Sequence, residues 1–282
     1  MKITKTIQKL LDQVDISNLP IWETGGEPIK KWAIIENQSI PNTKKCSFCG
    51  EEVPLTWEIN KKMRIKDPDY LPENHSDGYT GMLPGTYRVA LDMHPKCKKL
   101  RELFQQWGVT EKNAFKTDDF IVCDENKEAF LRVTEWINEP STTGLYFFGS
   151  PGVGKSLLAT KIILDSNQQN KMIISETELY DQLTPRIYDK GSQKEIDSFM
   201  SEIMRTSLLI IDDLGTCKKT DWKMETLFAV ISKRIDRALT TFFTSNYSPA
   251  ELLNLIDSKI VSRVFELANP CFVGGYDHRL VR

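Results

Sequence analysis

The chain has 282 residues and a net charge of −2, so it is long enough for one large domain or two smaller ones and has no overall basic field that would attract nucleic acid. It contains no run of about 18 apolar residues, and its first residues lack the apolar centre of a signal peptide. Three of the six cysteines are scattered, which argues against a secreted disulfide scaffold, and we expect a cytosolic protein without a membrane partner.

The first part of the chain begins with an amphipathic pattern, "MKITKTIQKLLDQVDI", which predicts a helix. Cys46 and Cys49 then lie in "CSFCG", and His94 and Cys97 lie in "HPKC". Two ligand pairs, each with a two-residue gap, suit a closed tetrahedral site and predict a structural Zn²⁺ in a small, loop-rich domain. The long spacing between the pairs leaves His75 as a competing ligand, and unrelated side chains or a CxxC redox pair are alternatives.

The sequence pattern changes near Asn113, after which helical patterns alternate with short apolar runs. The runs that predict strands are Gly144–Gly149, Lys171–Ser175, "LLIID" from Leu208, and Thr240–Asn246. Parallel strands covered by helices on both faces are uniformly apolar, as these are. The fold class predicted is therefore α/β, with a parallel-sheet domain at residues 113–282 preceded by the zinc-binding domain at residues 1–112.

A phosphate-binding loop is predicted at "GSPGVGKS", which fits G-x-x-x-x-G-K-[ST] and follows a strand and opens a helix. Its backbone N–H groups and the helix N-terminus would surround phosphate oxygens, Lys155 would add a full positive charge, and the Ser156 hydroxyl would contact Mg²⁺. A chance glycine-rich turn is the alternative. The predicted nucleotide contacts are Gly149, Ser150, Pro151, Gly152, Val153, Gly154, Lys155, Ser156 and Leu157.

Two adjacent carboxylates end the strand in "LLIIDDLG", and like charges at the edge of a core need a compensating partner. In a P-loop sheet we expect this strand to lie beside the P-loop strand, with Asp212 holding Mg²⁺ through its water shell. Asp213 is then the candidate that polarises the attacking water, or a surface turn residue. Asn246 closes the next strand, where its side chain reaches the γ-phosphate or forms a turn.

Together these residues resemble the AAA+ ATPases, and more narrowly the DnaC/DnaI helicase-loader and IstB-like group. The narrower resemblance rests on "LLIIDDLG", "TSNYSPAELL" and "SKIVSRVFELA", and it covers Asn113 to the C-terminus. It implies that Asn246 is sensor 1 and that Arg263 is an arginine finger acting in a neighbouring subunit, so that hydrolysis depends on self-association through the AAA+ domain. A surface salt bridge is the alternative for Arg263. The ending "GGYDHRLVR" makes Arg279 a candidate second sensor.

The resemblance also implies that the segment "ETELYDQLTPRIYDKGSQ" helps to line a channel for single-stranded DNA. The candidate phosphate contacts and stacking residues are Arg186, Lys190, Lys194, Tyr180 and Tyr188. A solvated helix and loop is an equal alternative, because the segment also contains Glu176, Glu178, Asp181 and Asp189.

The function implied is an ATP-dependent loader of a replicative hexameric DNA helicase, acting in replication initiation in a bacterial or phage-infected bacterial cell. Its N-terminal domain would bind the helicase, and its ATP hydrolysis would be slow until stimulated by DNA or assembly. The partner surface, or alternatively the small core around the metal, would contain Trp22, Trp32, Trp57, Tyr79 and Tyr87. Two alternatives remain: an IstB-like transposition-helper ATPase that organises target DNA, and an adaptor that binds ATP but barely hydrolyses it.

Overall fold

The computed structural model describes residues 4–14, 44–53, 55–59, 86–90, 94–188 and 193–280. The chain divides into two compact units, Met1–Glu102 and Leu103–Arg282. This division lies before the domain boundary that we predict at residue 112. Within the described ranges, every helix is too short or too polar to cross a membrane.

The described residues of the N-terminal unit include a short helix and two antiparallel pairs of strands. Helix α1 (Lys5–Gln13) confirms the predicted amphipathic helix: Thr4 caps its first turn by accepting from the Ile7 N–H at 3.3 Å, and Leu10 and Leu11 are buried. The antiparallel strand pairs are β1 (Lys44–Lys45) with β2 (Glu52–Val53) and β3 (Leu55–Ile59) with β4 (Thr86–Ala90). Helix α2 (Pro95–Trp107) begins in this unit and ends in the next.

The C-terminal unit is built around a parallel five-stranded sheet, which confirms the predicted fold class. The helices are α3 (Glu111–Lys116), α4 (Lys127–Asn138), α5 (Lys155–Asp165), α6 (Glu176–Tyr188), α7 (Gln193–Ile203), α8 (Asp221–Asp236), α9 (Pro249–Leu255) and α10 (Ser258–Leu267). The strands are β5 (Gly144–Phe148), β6 (Lys171–Ser175), β7 (Leu208–Asp212), β8 (Thr240–Ser245) and β9 (Ala268–Phe272). Their order across the sheet is β6-β7-β8-β5-β9.

The strand order corrects one prediction, because β7, which ends in the acidic pair, does not lie beside the P-loop strand β5. Strand β8 lies between them: Ile211 of β7 is in register with Phe243 of β8, and Phe243 is in register with Tyr146 of β5. All three strands are uniformly buried, so their sequences carry no signal that distinguishes one order from another.

Strand β9 was not predicted from the sequence. Its segment, "ANPCF", contains Asn269 and Pro270, both exposed, and this interrupts the apolar pattern that marks the other strands. A proline has no N–H to donate and is tolerated in a strand at the edge of a sheet. β9 is such a strand, since it pairs only with β5.

The guanidinium of Arg234 is buried at the end of α8 and joins three segments of the chain. Its Nη1 donates to the Ile203 and Thr206 carbonyls at 2.8 and 2.7 Å, its Nε to Thr241 Oγ1 at 2.8 Å, and its Nη2 to the Thr240 carbonyl at 2.6 Å. Burial lowers the pKa of Arg234 to about 9. These bonds satisfy carbonyl groups that precede β7 and begin β8, so they fix where the two central strands start.

We predict that Arg234→Met lowers the free energy of unfolding by about 2–4 kcal/mol, because it leaves several buried carbonyls without donors. Arg237→Met is the matched control, since Arg237 is exposed and makes one 3.3 Å hydrogen bond to the Met204 carbonyl. It should cost less than about 0.5 kcal/mol. Denaturant unfolding of both variants measures the difference, and equal losses would contradict this role of Arg234.

Candidate functional site

The predicted strand–loop–helix arrangement of the P-loop is present, with β5 ending at Phe148 and α5 beginning at Lys155. Gly152 and Gly154 both have positive φ, at 80° and 102°. A Cβ at Gly152 would lie 1.8 Å from Asp277 Oδ1, and one at Gly154 would lie 2.6 Å from Phe120 Cε2. The positive φ favours glycine at both positions, and any larger residue would also force the Asp277 or Phe120 side chain to move.

The Lys155 ammonium lies inside the loop, and the side chain is almost fully buried. Its Nζ donates to the carbonyls of Gly149 and Ser150 and to Asn246 Oδ1, each at 2.8 Å. Burial lowers the pKa of Lys155, while the negative charges of Asp213 and Asp212 act in the opposite direction. The loop thus holds a cation in contact with the residue that follows β8.

The Asp212 carboxylate connects three elements. Its Oδ1 accepts from Ser156 Oγ of α5 at 3.0 Å and from the Thr244 hydroxyl of β8. Burial, together with the neighbouring charge of Asp213, raises the pKa of Asp212, and the hydrogen bonds from Thr244 and Ser156 oppose this rise. A partly buried carboxylate oxygen beside a hydroxyl at the start of a P-loop helix fits the donor set that Mg²⁺ prefers.

Asp213 is exposed, and its backbone has a left-handed conformation with φ of 57°. This conformation costs about 1 kcal/mol for a residue with a side chain. Hydrogen bonds hold it in place: the Asp213 N–H donates to Thr244 Oγ1 at 2.9 Å, and Thr216 Oγ1 donates to the Asp213 carbonyl at 2.8 Å. The Asp213 carboxylate therefore projects from a fixed backbone at the carboxyl end of β7.

The C-terminal turn packs against the P-loop. The Val273 N–H donates to the Phe148 carbonyl at 2.8 Å, and the His278 N–H donates to the Gly152 carbonyl at 3.2 Å. Arg279 is exposed, and its charge is close enough to contribute to the lowered pKa of Lys155. The turn thus brings Arg279 to the same site as Lys155.

Among the predicted ATP-site residues, Arg263 lies apart from the cluster of Lys155, Asp212 and Asn246. Its guanidinium lies over the ring of Phe228, 5.0 Å from the ring centroid, and the side chain is half-buried. Among the ion pairs of the described residues, none includes Arg263, so the surface salt bridge considered as its alternative is not found there.

Two residues of the predicted DNA segment are corrected by the structure. Tyr180 is buried, with its ring against Trp222 and Lys223, so it has no free face on which a base could stack. Glu176 is also fully buried and does not contribute to the charge of a solvated face. Lys194 is exposed, whereas Lys190 and the side chains of Arg186 and Tyr188 lie outside the described residues.

Sequence reasoning also missed Thr244, whose hydroxyl contacts both Asp212 and the backbone of Asp213. Thr244 is one of four Thr and Ser residues in β8, "TTFFTS", and Thr is common in β-strands for reasons unrelated to function, so its position gave no distinguishing signal. Phe120, which limits the space at Gly154, gave no signal.

The four predicted zinc ligands, Cys46, Cys49, His94 and Cys97, come together in the N-terminal unit, with all their ligand atoms within 4.8 Å of one another. Zinc bonds of about 2.0–2.3 Å in a tetrahedron would hold such atoms roughly 3.3–3.8 Å apart. Cys49 Sγ and His94 Nδ1 are 3.2 Å apart. The donor set and its spacing therefore fit a closed zinc site, while His75 lies outside the described residues.

The backbone around the cysteine pair forms a tight turn. The Gly50 N–H donates to the Cys46 carbonyl at 2.9 Å, with Gly50 at φ of 81°. Burial alone would raise the pKa of Cys46, but backbone hydrogen bonds from Cys49, His94 and Phe48 outweigh it and lower the pKa to about 6. A thiolate, which is the form that binds metal, is therefore favoured at this position.

We predict that Asp212→Asn raises the Tm of the nucleotide-free protein at neutral pH, because it removes a partly buried charge and keeps an oxygen that can accept from Ser156 and Thr244. Since the pKa of Asp212 is raised in the folded state, its destabilisation is complete above the folded pKa and disappears as the pH falls below 3.8, the ordinary value.

Calorimetric melting curves from about pH 4 to about pH 8 measure this difference. Asp213→Asn is the matched control and should change the Tm less, because the Asp213 side chain is exposed. A lower Tm for Asp212→Asn at neutral pH would contradict the prediction.

The chain is similar in sequence to replication proteins of known name, and it shares its fold with a solved structure. The chain is 24% identical over 270 residues to the replicative helicase loader DnaI of Bacillus subtilis (strain 168), covering 85% of this chain and 80% of that protein. It is 27% identical over 217 residues to the chromosomal replication initiator protein DnaA of Mycoplasma capricolum subsp. capricolum, covering 74% of this chain but only 45% of DnaA. The crystal structure of the DnaC helicase loader shares the fold, with a TM-score of 0.50 at 23% identity over 56% of this chain and 96% of that one.

The sequence model of the family described as the bacterial DnaA ATPase domain matches residues 110–267, which is more than half of the chain. The matched residues contain the P-loop, the acidic strand β7 and the helix that carries Arg263. The resemblance to the AAA+ ATPases of the DnaC/DnaI group is therefore confirmed. The chain belongs to the bacterial DnaA ATPase domain family of AAA+ proteins.

Proposed function

We propose that the chain is an ATPase that loads a replicative DNA helicase during the initiation of DNA replication in a bacterial or phage-infected bacterial cell. One observation carries this proposal: Lys155 meets Asn246, and Ser156 meets Asp212, at the carboxyl edge of one parallel sheet. DnaI of Bacillus subtilis, which matches 85% of this chain, is named as a replicative helicase loader, and this supports the choice of partner.

In this proposal the P-loop binds the phosphates of ATP. The backbone of Gly149–Gly154 and the N-terminus of α5 would surround the phosphate oxygens. Lys155 now donates to two backbone carbonyls and to Asn246, and a phosphate offers charged acceptors that would replace weaker ones. Ser156 and Asp212 would hold Mg²⁺, which supplies positive charge against the phosphates.

Hydrolysis needs a group that orients and polarises the attacking water, and we assign this role to Asp213. Its carboxylate is exposed while its backbone is fixed by Thr244 and Thr216. Asn246 would reach between Asp213 and the γ-phosphate as the sensor of the bound nucleotide. Arg279, which the C-terminal turn holds near Lys155, would act as a second sensor.

Arg263 would complete the site of a neighbouring subunit. Phe228 supports its guanidinium from one side, and the side chain remains half-exposed. Among the described residues, no hydrogen bond or ion pair includes the Arg263 side chain, and we assign its guanidinium to the ATP site of a second copy. ATP hydrolysis would then be slow in the monomer and faster after assembly, because a finger acting in trans contributes about 10³–10⁵-fold in rate.

The remaining contacts divide between DNA and helicase. Single-stranded DNA would follow the α6–α7 segment, with Lys194, Arg186 and Lys190 as phosphate contacts and Tyr188 in place of Tyr180 for stacking. The N-terminal residues 1–112, held together by a structural Zn²⁺ on the cysteine and histidine cluster, would bind the hexameric helicase.

The proposed function is tested by mixing the purified chain with the hexameric replicative helicase of its host in the presence of ATP. We expect the two to co-elute in gel filtration and the purified chain to contain about one zinc per molecule. Cys97→Ser should lose zinc and helicase binding but keep its ATP affinity. Cys217→Ser, in the other unit, is the control and should keep its zinc content, helicase binding and ATP affinity.

Two outcomes would contradict the proposal. If the chain forms filaments on duplex DNA and does not bind the helicase, the transposition-helper function is favoured instead. If Cys97→Ser binds the helicase as well as wild type, the N-terminal domain is not the helicase contact.

Assembly-dependent hydrolysis is tested with two complementary variants. Arg263→Ala keeps its own P-loop but cannot supply a finger, whereas Lys155→Ala supplies a finger but has a defective P-loop. Each alone should hydrolyse ATP at least about tenfold more slowly than wild type. An equimolar mixture should recover about a quarter of wild-type activity, because random head-to-tail assembly pairs an intact P-loop with an intact finger at one interface in four.

Arg237→Ala serves as the control, because Arg237 is an exposed arginine directly after α8 and outside the site, and it should keep wild-type activity. A mixture that shows no recovery, or full activity of Arg263→Ala alone, would contradict the role of Arg263 in trans.

A further inference from the structure

Glu176 is a fully buried carboxylate to which the proposed mechanism gives no role. It is the first residue of α6, where the chain leaves β6. Its Oε2 accepts from the Gly215 N–H at 2.8 Å and from the Cys217 N–H at 3.3 Å. Its Oε1 accepts from Lys219 Nζ at 3.3 Å and from the Tyr180 hydroxyl at 3.4 Å.

The residues that Glu176 binds form the loop directly after Asp213. On the opposite side, strand β8 holds the same loop: the Leu214 N–H donates to the Thr244 carbonyl at 2.8 Å, and Ser245 Oγ donates to the Leu214 carbonyl at 2.7 Å. The loop is therefore fixed on both sides, and Glu176 supplies the contacts that β8 does not.

Holding this loop has an energetic reason. Asp213 has a left-handed backbone, which relaxes to a more ordinary conformation unless its surroundings prevent it. Hydrogen bonds from backbone N–H groups to a carboxylate are roughly twice as strong as those between neutral groups. The Glu176 carboxylate at Gly215 is thus a strong restraint only two residues beyond Asp213.

Glu176 itself has a fixed position. Ser175 Oγ accepts from the Glu178 N–H at 3.1 Å and so caps the first turn of α6. Lys219 compensates the buried negative charge, and its own side chain is only partly exposed. The Glu176 carboxylate therefore connects the fixed N-terminus of α6 to the loop that follows Asp213.

We propose that Glu176 is a positioning residue for ATP hydrolysis, and that it orients Asp213 by holding the backbone of residues 215–217. This inference rests on the proposed ATPase function. Glu176 would not contact ATP or water. Its loss would leave nucleotide binding intact and would slow the step that needs Asp213 in one orientation.

The test is Glu176→Gln, which preserves the size of the side chain but removes its charge and one of its two acceptor oxygens. We expect kcat to fall about 10–100-fold, because a small misplacement of a reacting group costs up to about 10²-fold in rate. The Kd for ATP should stay within about threefold. In an Asp213→Asn background, Glu176→Gln should lower kcat by less than about twofold, since residues that act as a unit are not additive.

A purely structural role is excluded by a matched control. Arg234→Lys weakens a buried network at the start of β7, whereas the loop follows the end of that strand. At a temperature where both variants are folded, Arg234→Lys should keep kcat within about twofold of wild type. Amide hydrogen exchange should become faster at residues 213–217 in Glu176→Gln and not in Arg234→Lys.

Lys219→Gln serves if Glu176→Gln does not fold, because the Lys219 side chain is 24% exposed and more tolerant of change. It should lower kcat about threefold in wild type and leave kcat unchanged in the Asp213→Asn background. An active wild type with additive losses in the double variant would overturn this inference alone. A wild-type chain that hydrolyses no ATP, even when assembled, would overturn the proposed function and this inference with it.

Discussion

The Asp212 carboxylate is shared between the Ser156 hydroxyl at the start of the P-loop helix and the Thr244 hydroxyl of the strand between β5 and β7. Burial and the adjacent Asp213 both disfavour its charge, so an ionised Asp212 depends on these donors and on nearby Lys155. A divalent cation at this position would relieve the same electrostatic stress. The two hydroxyl donors and Lys155 compensate part of the negative charge, which is how two acids at the end of an apolar strand are tolerated.

Local patterns predicted most of the site, and long-range packing determined what they missed. The P-loop is a contiguous motif, so Gly149–Ser156 could be assigned without knowing the fold. Glu176 could not be assigned, because its partners at Gly215 and Cys217 lie some forty residues along the chain. Its acidic neighbours in sequence gave it the appearance of a solvated residue. The order of the strands was missed for a similar reason, since all three central strands are almost entirely buried and their sequences do not encode adjacency.

The N-terminal unit illustrates the same limit with metal ligands. Each pair of candidate ligands is local, and the gap of two residues within each pair predicted that its members would meet. That the pairs themselves meet is a tertiary fact: Cys49 Sγ lies 3.2 Å from His94 Nδ1, across a separation of 45 residues. The described residues of this unit include only short strands, and a small unit of that kind depends on such cross-links more than a domain with a large apolar sheet does.

The position of β8 has a consequence for the geometry of the site. Neighbouring strands in a sheet lie about 4.8 Å apart, so a single intervening strand separates the backbones of β5 and β7 by roughly 10 Å. Backbone hydrogen bonds set this spacing, and side-chain volume hardly affects it. Substitutions in the apolar core would then alter how firmly the domain is folded while the distance between its cationic loop and its acidic strand stays constant.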